Sequence, residues 1–323
     1  MARDKKLRSF SLTGLFLFSI LFSLALPAGT ASASNETTTG TITGTETWAG
    51  VHTLTGDVTI APGAKLIINP GATIEFPNGT HLDVRGSLCA GVSSCGASSN
   101  AGPAMRITLK WGEPENSSAT GECYGMSSGN QDIWIDDPSC NEGVLMRSSI
   151  DLSETELRYV TFDSAWGIPQ YIPTVGEFRY GALVLDGASP SLTELEFNQV
   201  NTSSVLTTNL AQPTFNGGNF VVGSDESKSI VGAALQIYSS GSSVSPFTLS
   251  DISLTGTENG CGQRDGGRAT IWAQDSFIEI DNAQITSGDY GIGLFTSAGT
   301  VTNSVINVNC NGIDLNAKKA VGG

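Results

Sequence analysis

Three aspartates in "QDIWIDDPSC", Asp132, Asp136 and Asp137, form the densest acidic cluster of the 323-residue chain. Carboxylate oxygens are the ligands Ca²⁺ prefers, which makes Ca²⁺ the candidate cofactor. The spacing departs from the Asp-x-Asp-x-Asp-Gly loop, and a solvated acidic stretch would have the same composition. Aromatic side chains able to stack on sugar rings gather nearby: Trp111, Tyr124 and Trp134, then Trp166, Tyr171 and Tyr180 in "DSAWGIPQYIPTVGEFRY". They are either contacts for a glycan or a partner protein, or a local apolar cluster covering the side of the fold. The two histidines, His52 and His81, have no partner that the sequence names, and both read as solvent-facing strand residues. No catalytic residue is assigned.

Six cysteines, Cys89, Cys95, Cys123, Cys140, Cys261 and Cys310, lack the paired two-Cys spacing of a structural zinc site. In an exported chain they read as disulfides. Six allow fifteen connectivities; proximity in sequence favours Cys89 with Cys95 and Cys123 with Cys140, which leaves Cys261 for Cys310 across neighbouring turns. Export is expected because residues 1–33 combine a basic start (Arg3, Lys5, Lys6, Arg8), an apolar run from Leu12 to Leu26 and a small-residue Ala31-Ser32-Ala33 site. That is the pattern of a signal peptide, and the run is shorter than the ~20 residues a spanning helix needs. Glycosylation sequons begin at Asn35, Asn78, Asn116 and Asn201.

The formal charge is −15, and setting aside four basic residues and one acidic one in residues 1–33 makes it −18. Such a surface repels nucleic acid and anionic lipid. Only 15% of residues are charged and 39 are glycine, against about 25% and about 7% in average domains. Long surface helices are disfavoured, and turn-dense β structure is expected.

What would hold these side chains in place is legible in "PGAKLIINPGATIEFPNGTHLDV". Gly63, Gly71 and Gly79 recur at intervals of eight, as do Leu66, Ile74 and Leu82, and Ile68, Phe76 and Val84. Alternation puts each apolar pair on one face of a short strand, and each Gly permits a tight corner. A meander of hairpins would favour Asn-Gly or Asp-Gly loops. Pro-Gly-Ala corners fit a chain that always turns the same way. Three units close a coil of about 24 residues, so Val58 and Ile60 should lie beneath Leu82 and Val84. Ile271, Ile292 and Ile313, 21 apart, repeat the logic near the other end. One such coil cannot offset its own ordering entropy, so coils must stack in an array.

The stretches "TWAGVHTLTGDVTIAPGAKLIINPGATIEF", "LRYVTFDSA" and "GALVLDGASPSLTELEF" resemble right-handed parallel β-helix proteins of the pectin-lyase-like group, particularly their non-enzymatic cell-surface members. The resemblance implies an all-β solenoid with three short strands per coil of about 21–24 residues and a long disulfide-bearing loop insertion. It covers roughly residues 47–315 and matches poorly from 93 to 142, where Met105 to Lys110 forms one expected strand. The expected organisation is a signal peptide over 1–33, a Thr/Gly-rich linker over 34–46 and the β-helix over 47–323, with an incomplete C-terminal end. Of the motifs that polygalacturonases in the group use, Asp136-Asp137 alone is present. Trp134-Ile135-Asp136-Asp137 resembles the Trp-Ile-Asp-His stretch of pectate lyases but ends in Asp, and the Arg-x-Pro-x-x-Arg signature is absent.

The sequence therefore reads as a secreted or cell-surface structural or adhesive module whose loops meet an extracellular glycan or a surface protein. Nucleic acid is excluded as a partner, and a membrane is reached only through segments outside this chain. The alternatives are a Ca²⁺-dependent polysaccharide lyase, which would need carboxylates and a basic residue such as Arg147, Arg158 or Arg179 in one groove, and a purely structural spacer, favoured if Trp134 and Trp166 are buried.

Overall fold

The computed structural model describes residues 37–92, 102–112, 141–151, 154–200, 202–222, 233–256 and 269–315. Their strands join one 25-stranded sheet that winds as a parallel β-helix with three faces. On face III, His81–Val84, Gly143–Arg147, Glu177–Asp186, Ser203–Thr208, Leu235–Tyr238, Ala269–Gln274, Tyr290–Phe295 and Asn311–Asp314 stack in that order, each parallel to the next. Face I runs from Thr45–Trp48 through Lys65–Ile68 and Ser87–Ala90 to Ala298–Thr302. Face II runs from Thr73–Phe76 through Ile107–Trp111 and Val160–Asp163 to Val305–Asn307. Longer strands such as Ser191–Asn198 and Thr214–Val221 serve faces I and II in turn, bending at one residue.

The register agrees with the periodicity in the sequence. Val58 pairs with Leu82 and Ile60 with Val84, while Ile271, Ile292 and Ile313 are successive partners. Like side chains thus sit on like, and the interior is a set of apolar columns. Inside face II the column is aromatic: Phe76, Trp111, Phe162, Phe197 and Phe220 follow one another at centroid separations of 4.4, 6.3, 4.7 and 5.4 Å.

Corners need a sharp change of direction without loss of register. In the first coils they are turns with Gly63, Gly71 and Gly79 at φ near +75°. Later a single left-handed residue does the work. At the corner from face I to face II these are Tyr159, Glu194, Gly217, Asp251, Asn282 and Asn303; at the corner from face III to face I they include Ser239, Asp275 and Thr296. A serine often follows. Ser276 Oγ accepts the Ser240 N–H at 3.1 Å and donates to the Gln274 carbonyl at 2.8 Å; Ser297 does the same for Ser276 and Phe295 at 3.0 and 2.9 Å. Each hydroxyl satisfies a backbone donor that the bend withdraws from the ladder.

Several sequence expectations need correction. Thr37–Ile42 and the first two residues of Thr45–Trp48 fall in the span 34–46 expected to be a linker but are in strands, because β-branched Thr suits a pleated surface and both strands find parallel partners. His52 is buried rather than solvent-facing, stacked 4.4 Å from Trp48 with Nε2 2.9 Å from Thr38 Oγ1. His81 is half-buried, 2.9 Å from the Asn141 amide and 3.0 Å from the Asp57 carboxylate. The strand expected from Met105 begins at Ile107, after a 3₁₀ turn at Pro103–Met105. Residues 1–36 and 316–323 lie outside the described residues, as does most of the insertion over 93–142.

Replacement of Ser276 by Ala leaves the Ser240 N–H buried without its acceptor, an expected loss of ~1–3 kcal/mol. It is read as a lower denaturant midpoint at unchanged slope; an unmoved midpoint contradicts the role given to the corner serines.

Candidate functional site

Side chains on the outer surface of a stacked sheet form rows, and two rows meet where face I bends into face II. One row is the left-handed corner itself: Tyr159, Glu194, Gly217, Asp251 and Asn282. The other lies just inside face II, where Thr161, Glu196, Asn219, Ser253 and Gln284 are successive register partners. Every member of the second row is polar. Between the rows lies a groove of about 330 Å³, lined by Arg106, Glu194, Glu196, Gly218, Asn219, Asp251, Ile252, Ser253, Asn282 and Gln284.

Gly217 stands in the corner row of one coil, where the coils on either side carry Glu194 and Asp251, and Gly218, which pairs with Leu195 and Ile252, lines the groove. A Cβ at Gly217 would lie 2.6 Å from Glu194 Oε1, and one at Gly218 would lie 2.7 Å from the Leu195 carbonyl oxygen.

Arg106 closes one end. Its guanidinium passes 5.7 Å from the Tyr159 ring centre and reaches Glu194 and Glu196 beyond. Nη1 donates to the Glu194 carbonyl at 2.7 Å, and Nη2 lies 2.9 Å from the Glu196 carboxylate and 4.0 Å from that of Glu194. Thr161 donates to the other Glu196 oxygen at 3.3 Å, and the Asn282 amide donates to Asp251 at 2.5 Å. The groove thus offers fixed acceptors, amides and one hydroxyl on a rigid floor.

The residues singled out in sequence fall elsewhere. Trp111 is fully buried in the aromatic column, its Nε1 donating to the Thr80 carbonyl at 2.9 Å. Trp166 is buried too. Trp111 stacks between Phe76 and Phe162, and neither side chain is exposed at the surface. Tyr171 is 47% exposed and packs edge-on against Phe178 at 5.3 Å, on a hairpin formed by Ile168–Ile172 and the start of Glu177–Asp186. Tyr180, on the same hairpin, is half-buried, and burial pushes its hydroxyl up. Asn78 is exposed in a corner turn.

Asp132, Asp136, Asp137, Tyr124, Trp134, Asn35, Asn116 and Asn201 lie outside the described residues, as do Cys95, Cys123, Cys140 and Cys261. Cys89 and Cys310 are not free thiols, and the expected pairing lies outside the described residues. Among the described residues no group of three or more His, Cys, Asp or Glu side chains is placed to hold a metal. The arginines named for a lyase do not converge: Arg147 joins Asp83 and Asp186 on face III, Arg158 joins Glu156 on face I, and Arg179 reaches the Tyr238 hydroxyl.

The hairpin belongs to a second feature. Connections from face II to face III are long at 112–142, 164–176, 222–234 and 256–268, all at one corner. The hairpin's Ile168, Ile172 and Val175 cover Leu145, Val184 and Leu206, a row on the outside of face III, so an outer apolar cluster backs the inner core. Glu142 pins the hairpin's root. One carboxylate oxygen accepts the Gly79 N–H at 2.9 Å, the other the Trp166 N–H at 3.1 Å. Burial pushes its pKa from 4.5 up to about 7, the two N–H groups offsetting part of the effect.

No protein-family model and no curated protein matches the sequence. Two solved structures are similar at low level. Full-length tailspike protein 2 from Escherichia coli O157:H7 bacteriophage CAB120 shares 12% identity over 81% of this chain and 34% of its own, with a TM-score of 0.33. The enzymatically active domain of bacteriophage CBA120 tailspike protein 2 shares 12% identity over 81% of this chain and 38% of its own, with a TM-score of 0.30. The chain spans little more than a third of either length. The fold stands on the strand register, not on this likeness.

Because the folded state raises the Glu142 pKa, its contribution to stability is full below 4.5 and is lost as pH rises through about 7. The loss between pH 5 and 8 is on the order of 3 kcal/mol. Glu142→Gln lacks this titration and forfeits one N–H acceptor at every pH. The stability advantage of the native chain over the variant should therefore shrink as pH rises. Paired urea titrations at pH 5 and 8 check this, and a constant difference refutes it.

Proposed function

We propose that this chain is an exported, surface-displayed β-helix module that holds an extracellular glycan along the groove between faces I and II. The observation carrying the reading is the unbroken polar row Thr161, Glu196, Asn219, Ser253 and Gln284 along a groove lined by four of its five members. A polyol is recognised by donors and acceptors held at fixed positions, and side chains on stacked strands lose little further freedom on binding. Successive coils lie ~4.8 Å apart, close to the step by which one sugar ring lengthens an extended chain. A glycan lying along the axis therefore meets a similar polar surface in each coil.

The rest of the molecule suits a stiff adhesive or structural scaffold. The inner apolar columns and the outer cluster on face III both cross coil boundaries, which couples neighbouring coils. Export is part of the same proposal, motivated by the leader-like composition of residues 1–33, as is the relation to surface members of the pectin-lyase-like group. Trp111 and Trp166 are buried, which favours the groove over these two aromatics as the binding surface.

Gly217→Asn tests the reading. Asn tolerates left-handed φ, as Asn282 and Asn303 do at the same corner of other coils, and the atoms nearest its Cβ are Oε1, Cδ and Cγ of Glu194, a side chain that must swing aside and so reshape the groove wall. The variant is expected to keep its melting temperature within a few degrees while losing most of its retention on immobilised polysaccharide. Undiminished retention would remove the groove from the binding surface.

A further inference from the structure

We infer that the groove selects uncharged glycans and turns away chains of uronic acids, an inference that rests on the glycan reading of the same groove. Three carboxylates, Glu194, Glu196 and Asp251, border it, against the single guanidinium of Arg106. That guanidinium is already committed, since it donates to the Glu194 carbonyl at 2.7 Å and lies 2.9 Å from the Glu196 carboxylate. Its charge is balanced where it stands.

A ligand carboxylate entering the groove meets Glu194 on one coil and Asp251 two coils further along, with no uncommitted cation between them. Like charges a few ångströms apart at a protein surface repel enough to lower affinity by roughly tenfold. Sugar hydroxyls face the opposite situation. Each carboxylate oxygen accepts from a hydroxyl in a charge-assisted hydrogen bond, and the amides of Asn219 and Gln284 and the hydroxyl of Ser253 both donate and accept. Ca²⁺ bridging, the usual way for acidic sites to hold acidic sugars, would need the carboxylates to converge. Among the described residues no such group of three exists.

The paired cations of the molecule lie on another face. Arg85 and Arg147 grip the two oxygens of buried Asp83 at 2.7 and 3.0 Å, and Arg147 lies 3.7 Å from Asp186. Any uronate captured there would be indifferent to changes in the groove, and groove variants separate the two.

The experiment is calorimetric titration of the full chain with several neutral oligosaccharides, each paired with the uronate of the same length and linkage. The native chain should bind at least one neutral member roughly tenfold or more above its uronate partner, with little dependence on salt for the neutral sugar. The Glu194→Gln, Asp251→Asn double variant should narrow that ratio by strengthening uronate binding. Preference for the uronate, or a ratio that the double variant leaves unchanged, overturns the charge selection and leaves glycan binding standing. Absence of binding by every pair removes the glycan reading, and this inference with it.

Discussion

Each inner strand of this molecule is hydrogen-bonded on both edges to strands of the neighbouring coils, and everything else depends on that register. A slip of one residue would turn the buried row outward and the polar row inward. No coil can therefore choose its side chains alone. Ile271 requires Ile292, which requires Ile313, and the aromatic column from Phe76 to Phe220 persists because each ring offers a flat face to the next. The corners are subject to the same demand. A single left-handed residue bends the chain, and a serine takes up the backbone N–H that the bend displaces.

The groove arises where the pattern is kept in the backbone and broken in the side chains. Gly217 maintains the corner without a side chain where its neighbours in the row carry Glu194 and Asp251, and Gly218 lines the groove with backbone alone. Arg106, anchored two coils away, crosses Tyr159 to brace the neighbouring carboxylates. Glu142 acts similarly at the opposite corner: a carboxyl buried at a cost, holding two backbone N–H groups from segments far apart in sequence. Burial raises its pKa, and the two N–H groups it holds give it a structural task as a clamp.

The periodic parts of the fold were legible because the first coils contain no insertions. An interval of eight between Gly63, Gly71 and Gly79 converts directly into corners, and the pairing of Val58 with Leu82 follows. The groove was not legible by the same means. Glu196, Asn219, Ser253 and Gln284 are neighbours in space but are separated by 23, 34 and 31 positions, because connections of different length intervene. Composition also misled at the aromatics: Trp111 lies beside a long insertion yet occupies a column position, where a flat ring stacks on Phe76. Composition alone gives the Thr-rich start the look of a linker, because a run of Thr and Gly carries no apolar periodicity even though Thr suits a pleated strand. A usable signal did exist at the corners, where Asp275-Ser276, Thr296-Ser297 and Asn303-Ser304 repeat a left-handed residue followed by a hydroxyl.

The clustering of long connections at the corner between faces II and III has a further consequence. Pairing with the coil below resets the phase of the chain at every return to face III, so the number of residues spent at that corner does not propagate into the strands that follow. Coils with 3 intervening residues between Thr286 and Tyr290 and with 13 between Val221 and Leu235 share one ladder. Length is thus a local variable at that corner, while in the coils that build the groove, from Tyr159 to Asn282, the corner from face I to face II is held to a single left-handed residue. The scaffold separates the place where sequence can be gained from the place where position must be held, and a segment grafted into the first leaves the second unmoved.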